Sequence, residues 1–137
     1  MMILTTTVKC KNYNFLVVGD GSLKNAITET DNLKLLGKKT SKEVSKLLSE
    51  SLAVIIPSRC YENSPTVIYE AAAVGTPVIA ANLGGIPELV KRFGGILFEP
   101  DNLISLTEAI TEFLEEERIE VTLPAPENYA KKILAEL

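Results

Sequence analysis

The chain has 137 residues, 46% of them hydrophobic and 23% charged, which suits one folded core and argues against a disordered chain. The net charge of −4 argues against a nucleic-acid-binding surface, and the absence of histidine excludes a histidine base or metal ligand within this chain. Two cysteines, Cys10 and Cys60, make no disulfide framework, so a reduced, cytosolic setting is expected.

In chain order, MILTTTV (2–8) is a strand candidate with no basic flank or small-residue cleavage site, so no signal peptide is expected. FLVVG (15–19) is a short apolar strand running into Gly19-Asp20-Gly21. Only KCKN and Tyr13 separate it from the first candidate. A parallel crossover needs about a dozen residues, so a strand at 2–8 paired with the next must be antiparallel, as a hairpin. SLKNAITETD (22–31) is a helix candidate, and NLKLLG (32–37) a second short strand.

Thr40 and Glu43 have capping-box spacing and open a helix with Val44, Leu47 and Leu48 on its apolar face. AVIIP (53–57) reads as a buried strand ended by Pro57. Ser64 as cap and Pro65 as first helical residue predict a helix carrying Val67, Ile68, Ala71 and Ala72 and stopping at Gly75. TPVIAA (76–81) is a strand, GGIPELVKRF (84–93) a loop and short helix, and GGILFEP (94–100) the last strand with its exit. Asn102 caps a helix bearing Leu103, Leu106, Ile110, Phe113 and Leu114. Residues 115–126, charged and with two prolines, read as a linker, and 127–137 as an amphipathic terminal helix. No apolar run reaches the ~18 residues that crossing a bilayer needs.

Alternating strands and helices with short links predict a Rossmann-like parallel sheet with helices on both faces. The expected division is one Rossmann-like domain over 1–117, then linker and terminal helix over 118–137. Ligands of such sheets sit at the carboxyl ends of the strands, which singles out the loops GDGS, GKKT, PSRCYENS, ANLGGIPE and FEPDN.

Within the third of these loops and the helix after it stand Glu62 and Glu70, on either side of a helix start. The first N–H groups of that helix, those of Thr66 and Val67 among them, have no intrahelical partner and with the dipole make an anion site. A diphosphate there would bring one sugar near each carboxylate, and carboxylates accept hydrogen bonds from paired sugar hydroxyls. On spacing alone, Glu62 as loop surface and Glu70 as a solvated helix residue is the plainer reading, since most carboxylates are exposed. Gly19-Asp20-Gly21 also fits a plain turn, because the third glycine of a dinucleotide fingerprint is missing. Gly84-Gly85 fits a flexible turn, Asn63 a loop former, and Cys60 has no evident basic partner.

The run PSRCYENSPTVIYEAAAVGTPVIAANLGGIPELV resembles the donor-binding segment of retaining GT-B glycosyltransferases, family 4, also called glycosyl transferases group 1. The carriers are Glu62 and Glu70 with seven residues between, then Ala71, Ala73, Gly75, Pro77-Val78 and Gly84-Gly85-Ile86-Pro87-Glu88. VVGDGSLKN (17–25), Leu35-Leu36-Gly37 and GGILFEPDNLISLTEAI (94–110) extend the likeness over roughly 14–117. It reverses the balance on the two glutamates. The resemblance implies the C-terminal half of a GT-B fold and transfer of a hexosyl group, with retention, from a nucleotide sugar to a sugar or lipid acceptor. It places Glu62 near the reacting carbon and Glu70 on the ribose hydroxyls. Thr66 and Val67, with Ser64 and Pro65 beside them, would meet the diphosphate through main-chain amides. Gly19, Gly21, Gly84 and Gly85 would line the donor cleft, and Lys39 would sit beside the base. No metal and no cofactor other than the donor substrate is implied.

The sequence departs from the family in two respects. The strand and helix that normally open this domain, with an arginine and a lysine that neutralise the diphosphate, have no match and are missing or replaced. The acceptor domain is also not in these 137 residues, so it is expected on another chain or outside this fragment, and little transfer is expected of the chain by itself. The competing reading is a non-catalytic nucleotide-sugar-binding or protein-interaction module. A sugar-nucleotide epimerase fits less well without histidine, and a hydride-transferring oxidoreductase fits worst. A bare sheet edge would invite a homodimer. The expected location is the cytoplasm or the inner face of the membrane.

Overall fold

The computed structural model describes residues 2–8, 12–21, 25–116 and 119–122, the side chains of 2–12 excepted. One sheet of six strands runs β3-β2-β1-β4-β5-β6. The strands are β1 Met2–Val8, β2 Asn12–Val18, β3 Leu33–Gly37, β4 Ala53–Ile56, β5 Val78–Ala81 and β6 Gly95–Phe98. β2 and β3 are parallel to each other, as are β4, β5 and β6, while β1 lies between β2 and β4 and is antiparallel to both. The short link after β1 thus has the expected consequence: a hairpin, whose second side joins the rest of the sheet. β1 holds a central place and is the one strand, among the described residues, that runs against the others.

The helices are α1 Ser41–Ser49, α2 Thr66–Ala73, α3 Ile86–Phe93 and α4 Leu103–Glu115. β4 and β5 are buried along their whole lengths, which is why they read as unbroken apolar runs rather than alternating ones. Alternate residues face opposite sides. Val54, Ile56, Val78 and Ala80 pack with Leu48, Ile68, Leu89 and Phe93 of α1 to α3. Ala53, Ile55, Ile79 and Ala81 pack with Ala109, Leu106 and Phe113 of α4. Each fully buried valine, leucine or isoleucine among these stabilises the fold by ~1.5–3 kcal/mol.

Helix ends follow local chemistry. Thr40 and Glu43 form the full capping box at α1, and the Asn102 side chain accepts from the Ser105 N–H at 3.0 Å to cap α4. Gly75, with φ 77°, takes the left-handed conformation that ends α2. Two expectations need correction. The helix foreseen over 22–31 is absent from the described part of that segment: Asn25–Ala26 make one 3₁₀ turn, and Thr30 pairs with Leu33 instead. Glu29 accepts the Leu35 N–H at 2.7 Å, so the segment's end is committed to starting β3. The β-branched Thr28 and Thr30 add little helical drive against that. Second, α2 begins one residue later than foreseen, with Pro65, not Ser64, at the cap position. The Ser64 hydroxyl hydrogen-bonds the Tyr69 hydroxyl at 2.9 Å.

Residues 119–122, inside the foreseen linker, return to the domain: the Thr122 N–H donates to the Phe93 carbonyl at 2.9 Å, and Val121 packs against the core. The terminal helix foreseen over 127–137 lies outside the described residues. Among the described residues no helix is long and apolar enough to cross a membrane.

Candidate functional site

All five loops singled out in the sequence follow the carboxyl ends of β2 to β6 and open on one edge of the sheet. Met2 of the reversed β1 stands at that edge, paired with Val18, beside the end of β4. The ends of β2 and β4 are therefore two strand spacings apart, about 10 Å. Gly19, with φ 136°, turns the chain out of β2, and its N–H donates to the Gly37 carbonyl at 2.9 Å, tying the first two loops together. Gly21 is exposed, with open space where a Cβ would stand. Lys39, partly buried at the end of that second loop, pairs with Glu43 at 3.8 Å.

Across the β1 gap, α2 opens beside the end of β4. Its amino end differs from those of the other three helices. α1 has both a capping side chain and an acid in its first turn, α3 has Glu88, and α4 has the Asn102 cap. α2 has neither a side-chain cap nor a first-turn acid, and Pro65, buried at its cap position, cannot donate. The Ile68 N–H is satisfied by the Pro65 carbonyl at 3.2 Å. The amides of Thr66 and Val67 precede it and have no carbonyl four residues back within the helix. Thr66 is exposed and Val67 half-buried. Glu70, half-buried, stands one turn further along the Thr66 face, about 6 Å by helical rise. Glu62 is exposed in the loop before the helix.

Gly84 and Gly85 reach this loop from the end of β5, through backbone. The Gly85 N–H donates to the Glu62 carbonyl at 3.0 Å. A Cβ on Gly84 would stand 2.6 Å from that same oxygen, and one on Gly85 would overlap the Asn63 carbonyl oxygen. The pair is pressed against the Glu62–Asn63 backbone, which no spacing in the sequence reveals. Sequence reasoning also passed over Arg59, whose Nε meets Asp101 Oδ1 at 2.6 Å. That ion pair joins the loops after β4 and β6 over a cleft of about 220 Å³ that Pro57, Phe98, Leu103 and Leu106 help to line. The α4 side of the sheet supplies its apolar wall through Phe98 and Leu106. Among the described residues there is no group of three or more acids and cysteines placed to hold a metal ion.

Residues 5–133 match the family described as glycosyl transferases group 1. An uncharacterized glycosyltransferase of Methanocaldococcus jannaschii is 33% identical over 128 residues, covering 88% of this chain and 36% of its own length. The GDP-mannose-dependent monoacylated alpha-(1-6)-phosphatidylinositol monomannoside mannosyltransferase of Corynebacterium glutamicum is 30% identical over 112 residues, covering 74% of this chain and 29% of its own. The crystal structure of Anabaena HepE in complex with UDP and glucose superposes with a TM-score of 0.64 at 27% identity, over 74% of this chain and 30% of that one. The chain thus spans about a third of the length of these relatives.

Proposed function

The chain belongs to the glycosyl transferases group 1 family, and on that premise we propose that it is the donor-binding half of a retaining glycosyltransferase that moves a hexosyl group from a nucleoside diphosphate. The observation that carries the reading is the bare amino end of α2, without cap or first-turn acid, flanked by Glu62 before it and Glu70 along it. An anion over the Thr66 and Val67 amides meets unpaired donors and the positive end of the dipole together. The diphosphate takes that place. Glu70 accepts the ribose hydroxyls, and Glu62 faces the transferred sugar, where its carboxylate stabilises positive charge at the reacting carbon. Gly19 and Gly21 border the donor across the β1 gap, and Lys39 lies towards the base. The bond from the sugar carbon to the diphosphate oxygen breaks with its electron pair on the diphosphate. The acceptor hydroxyl forms the new bond, and its proton passes to the departing diphosphate.

A second reading, binding without transfer by this chain unaided, is favoured by the reversed β1. A leaving diphosphate needs preorganised positive charge, and the family's arginine and lysine belong to the strand–helix unit that β1 replaces. An acceptor domain, on a separate chain or elsewhere in a longer one, completes the active site in both readings. The test is calorimetric titration with UDP, GDP, ADP and UDP-glucose. At least one nucleoside diphosphate binds, and at about 100 times Kd it stabilises the fold by ~2.7 kcal/mol in a thermal-shift measurement. Glu70→Gln weakens that binding about fivefold, because a neutral acceptor holds hydroxyls less strongly than a carboxylate. Absence of binding by every one of the four ligands overturns the reading.

A further inference from the structure

We infer that the Gly84–Gly85 turn is a backbone template that sets the position of the Glu62 carboxylate, and that these glycines are positioning residues rather than ligand contacts. The inference rests on the reading of Glu62 as the sugar-side acid. Glu62 is exposed, in a loop between β4 and α2, so nothing of its own holds it in place. Two contacts fix the loop from outside. At one end the Gly85 N–H donates to the Glu62 carbonyl at 3.0 Å, and both glycines lie too close to the Glu62–Asn63 backbone for any side chain. At the other the Ser64 hydroxyl is bound to Tyr69, which is 8% exposed and stacks edge-on against Phe93 at 5.4 Å. Because Gly85 spends its N–H on Glu62, that amide is not available to a diphosphate. The template is itself anchored: Gly85 is the cap residue of α3, whose Ile86 is wholly buried. An acid that must meet one sugar carbon gains from such a footing, since displacement by about an ångström can cost a hundredfold in rate.

Gly85→Ala isolates the contact. Gly85 has φ −85° and ψ −2°, with φ negative and so open to alanine, and the added methyl acts chiefly through its overlap with the Asn63 carbonyl. Binding of UDP and of UDP-glucose is measured for wild type, Gly85→Ala, Glu62→Gln and the double variant. UDP affinity is expected to change little in all three variants. The extra affinity for UDP-glucose over UDP falls about tenfold in each single variant, and the double variant loses no more than either one. Gly75→Ala is the stability control: its φ of 77° disfavours alanine but nothing lies within 4 Å, so it lowers Tm and keeps the sugar-dependent gain. Additive losses, or a Gly85→Ala protein that keeps that gain, would overturn the inference. Amide hydrogen exchange decides without a ligand. The residue 85 amide is protected in wild type and exchanges faster in Gly85→Ala; exchange at an open-loop rate in wild type removes the template. If wild type binds neither UDP nor UDP-glucose, the donor-site reading loses its support for these ligands while the exchange result still judges the template.

Discussion

Placing a charge where the diphosphate is proposed to sit separates stability from binding. Thr66→Asp puts a carboxylate in the first turn of α2, at an exposed position, so the side chain needs no desolvation. An acid there interacts favourably with the helix dipole by ~0.3–1 kcal/mol. It also stands four residues from Glu70, a like-charge pair that costs ~0.2–0.5 kcal/mol. The net lies between about −0.2 and +0.8 kcal/mol. Unfolding entropy of ~2.1 cal/mol/K per residue converts this into a Tm change from about −1 to +3 °C. The helix is therefore neutral to stabilised.

Binding moves the other way. A unit charge ~5 Å from a phosphate charge, at an effective dielectric constant between about 20 and 80, repels it by roughly 1–3 kcal/mol, a loss of about 5- to 150-fold. The assay is calorimetry with UDP on Thr66→Asp and on Thr66→Asn, the neutral isostere, with thermal denaturation of both. Asn should retain most of the affinity. The gap between the two variants should narrow as salt rises towards about 0.5 M, since screening lengths fall below ~10 Å above 0.1 M. Equal UDP affinities for Asp and Asn at low salt would mean that no anion sits over this helix end.

At α1, Thr40→Ala removes the cap and costs about 1 kcal/mol by denaturant titration. The Thr40 backbone N–H, and then its hydroxyl, hold the Glu43 carboxyl below its ordinary value of 4.5. A lowered folded-state value means that the stabilisation is complete above about 4.5 and is lost as pH falls through the folded value, so the Tm difference between wild type and Glu43→Gln should be present at neutral pH and vanish in stronger acid. Thr76 is 2% exposed and its hydroxyl donates to the Leu48 carbonyl at 2.7 Å. Thr76→Val should cost ~0.5–1.5 kcal/mol, because that carbonyl also accepts the Ser51 N–H, and a cost near ~3 kcal/mol would mean an orphaned oxygen instead.

What could be read from the chain was what lies within a few residues of itself. The Thr40–Glu43 box, the Asn102 cap and the Gly75 stop each involve groups at most four apart, and all three are present. The hairpin was legible for a related reason: the link is too short for any other crossover. The β4 and β5 runs were legible because burial on both faces leaves no polar alternation. What failed or was missed depends on distant partners. Residues 25–31 read as the rest of a helix but serve the start of β3. Ser64 reads as a cap, yet a tyrosine hydroxyl one turn away takes it. Gly84–Gly85 reads as a loose turn, and its use is set by a backbone 22 to 23 residues earlier. The Arg59–Asp101 pair spans 42 residues, and although both stand in loops singled out from the sequence, nothing local links one to the other.

On the proposed function, the reversal of β1 separates binding from chemistry within the sheet. Turning one strand over leaves both neighbours with a hydrogen-bonding partner: Val18 faces Met2 and Val54 faces Leu4. The loops on either side keep their aim, because their direction comes from β2 to β6, all of which still point the same way. What changes is the middle of the ligand edge. A parallel central strand would end there and hand its following loop to the diphosphate, whereas β1 begins there, and its carboxyl end at Val8 turns back on the opposite edge into β2. The groups proposed to recognise a donor, on α2 and the flanking loops, survive such an exchange; the cationic loop that the family resemblance implies after a central strand does not. Nucleoside diphosphate affinity close to that of a complete relative, together with a rate of donor cleavage many orders below it, is the pattern this topology leads to. Donor cleavage at a typical enzyme turnover of about 1–10³ per second would show that the positive charge comes from another part of the edge.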